Sequence, residues 1–161
     1  MTVQTPISNR QPPETHVRAL ASRFHEDWKR DYRAKNGATP RMKRTSDRAW
    51  IALHGDTAEV DIASADFESL PSDWQRENRE AAQVALALVE SASLRRIAID
   101  EVFIETAAAD VHRKWLERTG NDAPEPQRVP YAQLPHEEKN KDRHQVRAAV
   151  ALYQQGLRND E

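Results

Sequence analysis

Hydrophobic positions early in the chain follow one face of a helix. From about Glu14, apolar residues recur every three to four positions, at Val17, Leu20, Ala21, Phe24, Trp28 and Tyr32. This period, kept over four turns, predicts an amphipathic helix. Asn36-Gly37 and Pro40 predict its end. The polar, proline-containing residues 1–13 show no apolar period and are expected to form a disordered arm.

Three further helices follow from the same spacing. Pro71 stands where a second helix would begin, because proline lacks only an N–H that would have no partner there. A third is expected from about Asp100, a suitable N-cap residue. The last is expected over residues 135–155, with Gly156 as its C-terminal cap.

Between the first two helices the pattern changes to alternation. Apolar residues alternate at Ile51 and Leu53 and again at Ala58, Val60 and Ile62, on either side of Gly55-Asp56. Alternation around such a turn predicts a β-hairpin. The preceding Arg41–Arg48 is a basic patch expected in a loop. The expected fold is therefore mainly α, with a small β-hairpin over residues 50–62.

The pattern also repeats along the chain. The motif A-x-x-[F/V]-H-x-x-W occurs twice, 87 residues apart, and supplies His25 and Trp28, then His112 and Trp115. A second matched pair of segments lies 64 residues apart, beginning at residues 66 and 130. Two similar halves are therefore predicted.

The predicted halves are residues 14–93, lengthened by the hairpin, and residues 94–161. Ser91-Ala92-Ser93 is expected to be the hinge between them. Neither two-helix half could bury its apolar stripe alone, so we expect them to form one compact domain about a pseudo-two-fold axis.

Charge and composition argue against several classes of function. The net charge is −2 and the pI is near 6.3, which argues against a nucleic-acid partner. The chain has no cysteine, which excludes disulfides and thiolate chemistry. No apolar run reaches the length of a membrane span, and a cytoplasmic location is expected.

The H-x-x-W motif followed by P-Y-x-x-L-P-x-E-E-K-x-K-D-R resembles the RyR domain, the repeat of ryanodine receptor channels and of bacterial and phage proteins. The second half carries the motif at His112, Trp115, Pro130, Tyr131, Leu134, Glu138, Lys139, Asp142 and Arg143. The first half keeps His25, Trp28, Leu70, Asn78 and Arg79 but replaces the E-x-K-x-K-D core. Neither half has the family's G-W-x-Y-G-like element. The resemblance implies a paired helical module without catalysis, regulatory in channels and sensing nucleotide-like molecules in microbes.

Several residues at equivalent positions are candidates for a shared site. Trp28 and Trp115 are either core aromatics or an aromatic clamp between the halves. Arg79 and Arg143 could bind a phosphate or carboxylate, or form surface salt bridges. Tyr131, a motif residue of the family, completes the predicted ligand site.

Behind that site we place four supporting residues. His25 and His112 are expected to be structural rather than metal ligands, each bonded within its own half. Asn78 and Asp142 interrupt apolar stripes and must have polar partners, because burying them unpaired is costly. No metal site or cofactor is predicted.

Two functions stay open at this stage. One is a sensing module that holds a nucleotide-like or other anionic aromatic molecule between the halves. The other is a structural or protein-interaction domain without a small ligand. No catalytic motif is present, so an enzyme is not expected. A concave opening containing both tryptophans favours sensing, and a filled interface favours the structural alternative.

Overall fold

The computed structural model describes residues 11–159, with side chains described to residue 156. Most of the predicted arm, residues 1–10, lies outside the described residues. Five helices and two strands are described: α1 (Glu14–Asn36), β1 (Met42–Arg44), α2 (Arg48–Leu53), β2 (Glu59–Asp61), α3 (Ser72–Leu94), α4 (Glu101–Thr119) and α5 (His136–Asn159). The prediction of a mainly α fold with a small hairpin is confirmed.

The hairpin has a different first strand from the one predicted. Strand β2 pairs antiparallel with β1, so that Lys43 lies opposite Val60, and β1 belongs to the basic patch. The predicted strand at Ile51–Leu53 is wrong, because these residues belong to helix α2. The Asp47 carboxylate caps this helix by accepting from the Trp50 backbone N–H at 3.1 Å.

Two predicted helix ends are also wrong. Ser91–Ser93 lie inside α3, where Ala92 is buried, and the chain turns only at Arg96, with a φ of 56°. Helix α5 continues through Gly156 to Asn159. A Cβ at Gly156 would stand 3.7 Å from His16 on α1. A glycine within a helix costs about 1 kcal/mol relative to alanine, which is too little by itself to end α5 at Gly156.

The core joins the two halves. One cluster contains Leu20 and Phe24 of α1, residues of α3, and Ala148 and Ala149 of α5. A second cluster lies between α4 and α5 and is bordered by Leu88 of α3. Helices α3 and α5 therefore contribute to both clusters, and the halves share one core.

The two halves repeat one local geometry. A short 3₁₀ turn precedes each second helix, at Phe67–Ser69 and Tyr131–Gln133. Leu70 and Leu134, which follow these turns, have nearly the same backbone angles, φ −69° with ψ 148° and 147°. The superposition of whole halves about one axis stays a prediction. No helix of residues 11–159 is both long and apolar enough to cross a membrane.

Candidate ligand cleft between the repeats

A cleft of about 420 Å³ opens where the two halves meet. The residues that line it include four pairs singled out by the repeated motifs: His25 and His112, Trp28 and Trp115, Leu70 and Leu134, Asn78 and Asp142. We call it the seam cleft. Its volume lies within the usual range of small-molecule sites, about 300–1,000 Å³.

The two motif histidines form the inner wall of the seam cleft. His25 Nε2 lies 2.7 Å from the Ala65 carbonyl oxygen, and His112 Nε2 lies 2.8 Å from that of Val129. Since a carbonyl only accepts, Nε2 carries the proton in both rings. Both residues are 4% exposed. Burial lowers the pKa of His25 below its ordinary value. Each histidine thus binds a backbone carbonyl of its own half, one of the partners expected.

Each histidine stacks with the tryptophan one turn further along its helix. The ring centroids of His25 and Trp28 are 6.0 Å apart, and those of His112 and Trp115 are 5.9 Å apart. Trp28 is 36% exposed and Trp115 is half-buried. Neither indole is a fully buried core residue, so both can offer ring surface to a ligand.

The polar pair behind the tryptophans differs in chemistry. Asn78 Nδ2 donates to the Trp74 carbonyl at 3.4 Å. Asp142 Oδ2 lies 3.7 Å from His112 Nδ1, beyond hydrogen-bond distance. Burial raises the pKa of Asp142 to about 7, with Glu138 adding to the rise and Lys141 opposing it. Near neutral pH this carboxyl is therefore partly protonated and able to donate a hydrogen bond.

Three predicted ligand residues do not line the seam cleft. Arg79 is ion-paired with Glu14 on the surface. Arg143 binds Glu105 with Nε at 2.8 Å and Nη2 at 3.0 Å, and Tyr131 Oη donates to Glu105 at 2.8 Å. The Arg143 hydrogen bond lowers the pKa of Glu105 to about 2. Of the two alternatives left open by the sequence, both arginines therefore form salt bridges rather than line the cleft.

The cations that do line the seam cleft are Arg41, Lys43, Arg118 and Lys141. Arg118 contacts Glu77 at 3.1 Å, and Lys141 contacts Glu138 at 2.9 Å. Lys43 Nζ lies 5.9 Å from the centre of the Trp74 ring. The basic patch was expected in a loop. The pairing of β1 with β2 instead brings two of its residues, Arg41 and Lys43, to the cleft.

Comparisons with protein-family models, with curated proteins and with solved structures found no match. The resemblance to the RyR domain thus stays a prediction, based on the motifs quoted above. Among residues 11–159, no group of three or more histidine, aspartate or glutamate side chains could hold a metal ion.

Proposed function

We propose that this protein is a non-catalytic binding module that holds a planar, anionic, nucleotide-like molecule in the seam cleft. The observation that carries the proposal is the meeting of Trp28 and Trp115, one from each repeat, in a single open cleft that cations also line. An aromatic ring stacked on such an indole gains about 1–3 kcal/mol.

The polar groups of the seam cleft suit the edge of a heterocycle. The Asn78 side chain has one donor and one acceptor group, and a protonated Asp142 has the same pair of functions. Both lie in the helices that follow the prolines, at equivalent positions. A flat ring between the indoles could therefore meet hydrogen-bonding groups from both repeats.

The RyR-like motifs support the same function by analogy. His112, Trp115, Leu134 and Asp142 are motif positions of the second half, and all four line the cleft. The motif residues Tyr131 and Arg143 bind Glu105 instead. A cytoplasmic location is proposed with the function.

A thermal-shift screen of nucleotides and cyclic nucleotides is the first test, because a ligand of the folded state raises the melting temperature. The four indole N–H signals in a nitrogen-15 NMR spectrum then locate the site. Trp28, Trp74 and Trp115 line the cleft, whereas Trp50 lies elsewhere and donates to the Ser69 carbonyl at 3.1 Å.

Binding in the cleft is expected to move the Trp28 and Trp115 signals and leave the Trp50 signal in place. Assignment by single tryptophan-to-phenylalanine variants identifies each signal. Equal movement of all four signals, or movement of Trp50 alone, would place the ligand elsewhere. No response to any nucleotide would favour the structural or protein-interaction alternative.

A further inference from the structure

We propose that the hairpin is the phosphate-binding arm of the seam cleft, with Arg41 and Lys43 as the groups that hold the phosphate. This inference rests on the proposed function and adds the orientation of the ligand within the cleft. A phosphate monoester on a flat ring would enter with its phosphate toward β1 and its ring between the two indoles.

Among the described residues, only those of the first repeat provide such an arm. The hairpin brings Arg41 and Lys43 to the cleft, whereas the corresponding connection in the second repeat brings Gln127. Arg128 in that connection bonds the carbonyls of Ala123 and Asn121, at 2.6 Å and 2.8 Å, and does not line the cleft. Both repeats line the cleft with equivalent residues, but only the connecting segment of the first repeat adds positive charge. This asymmetry favours a single orientation of the ligand, with its phosphate toward β1.

The side chains of the two hairpin cations also differ from the other cations of the cleft in having no carboxylate contact among the described residues. Arg118 and Lys141 already contact carboxylates, as described above. Within the described part of the chain, no carboxylate lies within ion-pair distance of the Arg41 or Lys43 side chain. Two positive side chains without an ion-pair partner in that part of the chain match a phosphate monoester, which carries about −1.5 to −2 near neutral pH.

Strand β1 is held in place at both ends. At its start, Tyr32 Oη donates to the Pro40 carbonyl at 3.3 Å. At its end, Trp74 Nε1 donates to the Arg44 carbonyl at 3.0 Å, and Thr45 Oγ1 donates to Asp73 Oδ1 at 2.7 Å. The cations therefore project from an anchored element, which reduces the entropy lost when they bind an anion.

Calorimetric titration with adenosine monophosphate and with adenosine tests the arm. The test variant is Arg41→Gln with Lys43→Gln. The control variant is Arg44→Gln with Arg48→Gln, which removes the same charge from neighbouring exposed positions that do not line the cleft. Melting temperatures of both variants check that each is folded. The charge-conserving variant Arg41→Lys with Lys43→Arg provides a second, milder change.

The native protein is expected to bind the monophosphate about 10–100-fold more tightly than adenosine, the range given by one charged hydrogen bond or two. The test variant should lose this preference and keep its affinity for adenosine. The control variant and the charge-conserving variant should retain most of it.

Three results would overturn the arm. One is equal loss of monophosphate affinity in test and control variants, which would indicate a general charge effect. Another is an unchanged preference in the test variant. The third is that the native protein binds adenosine as tightly as the monophosphate. That result would contradict the phosphate-binding arm but not the proposed function. Failure of both probes to bind contradicts the proposed function, and the arm with it.

Discussion

Equivalent positions of the two repeats carry different chemical groups in similar surroundings. Asn78 and Asp142 both line the seam cleft, as do the motif tryptophan and histidine of each repeat. The amide of Asn78 is neutral at every pH, whereas the pKa of Asp142 is raised to about 7 by burial. We therefore expect Asp142 to make the stability of the protein depend on pH, whereas Asn78 at the equivalent position adds no such dependence.

Replacing Asp142 by asparagine is expected to stabilise the protein increasingly as pH rises. The raised pKa means that the folded state keeps a proton that the carboxyl of the unfolded chain, with its ordinary pKa of 3.8, releases. Native stability therefore falls between pH 4 and pH 7 and stays at the lower level above it. The neutral amide in Asp142→Asn avoids this cost, so the gain should grow by about 2–4 kcal/mol from pH 4 to pH 8.

Urea unfolding at several pH values measures this gain. Asp110→Asn provides a control, because the Asp110 side chain is 42% accessible, against 16% for Asp142. A gain that is the same at pH 4 and pH 8 would show that the Asp142 carboxyl is not held neutral in the folded protein.

The tryptophans of the cleft should contribute less to stability than true core aromatics. Phe67 is 2% exposed, whereas Trp28 is 36% exposed and stacks on His25 and Tyr32. Phe67→Ala is expected to cost about 3–5 kcal/mol, the usual cost for a buried aromatic. Trp28→Ala should cost less than half of that, about 2 kcal/mol or less, since less apolar surface is lost from the interior.

Chemical unfolding followed by circular dichroism compares these two variants. A loss in Trp28→Ala equal to that in Phe67→Ala would assign the indole to the core. In that case the tryptophans would serve packing, and the structural alternative for the protein would gain weight.

At the scale of elements, capping decides where short segments fold. Asp47 and Asp100 both cap helices, and each accepts a backbone N–H from the third residue beyond it. The second of these was predicted from sequence because a long apolar stripe follows it. The first was not, because α2 has only six residues and its alternating Ile51 and Leu53 also fit a strand.

The cap of α4 gives a direct prediction. Asp100 Oδ1 accepts from the Phe103 N–H at 3.0 Å, so Asp100→Ala should destabilise the protein by about 1 kcal/mol. For a chain of this size the melting temperature should fall by about 2–4 °C. Asp100→Asn keeps an acceptor at the same place and should melt close to the native protein. Equal melting of all three proteins would mean that the cap contributes nothing.

At the scale of the whole molecule, α3 and α5 unite the repeats. Ala148 and Ala149 of the second repeat are buried in the cluster built on α1 and α3. A hydrogen bond also crosses the halves, between His144 Nε2 and Asp27 Oδ2 at 2.6 Å. Each repeat therefore completes the core of the other.

We expect the protein to unfold in one transition. Urea curves from helix circular dichroism and from tryptophan fluorescence should coincide, as they do for a two-state domain. Residues 1–95 and 96–161 produced separately should each fail to show a cooperative transition. A separate half that unfolds cooperatively would show that the repeats are independent domains.

The sequence determined the elements whose signals are local. The period of the apolar residues predicted α1 and α4, and the two H-x-x-W motifs indicated that the halves share a plan. Trp28 and Trp115, which the sequence left open between core and cleft positions, both line the seam cleft, and so do Asn78 and Asp142, which were expected only as supporting residues. Helix faces and repeated positions follow from spacing along the chain, so local signals are enough to predict them.

Tertiary structure alone decided which charges face the cleft. Arg79 and Arg143 are next in sequence to cleft residues, yet their side chains reach Glu14 and Glu105 instead. Arg41 and Lys43 enter the cleft only because β1 pairs with β2. A long charged side chain can form an ion pair with any of several groups near it in the fold, and those groups come from distant parts of the chain. Spacing along the sequence does not determine which partner each charge meets. The packing of the helices and the hairpin determines it.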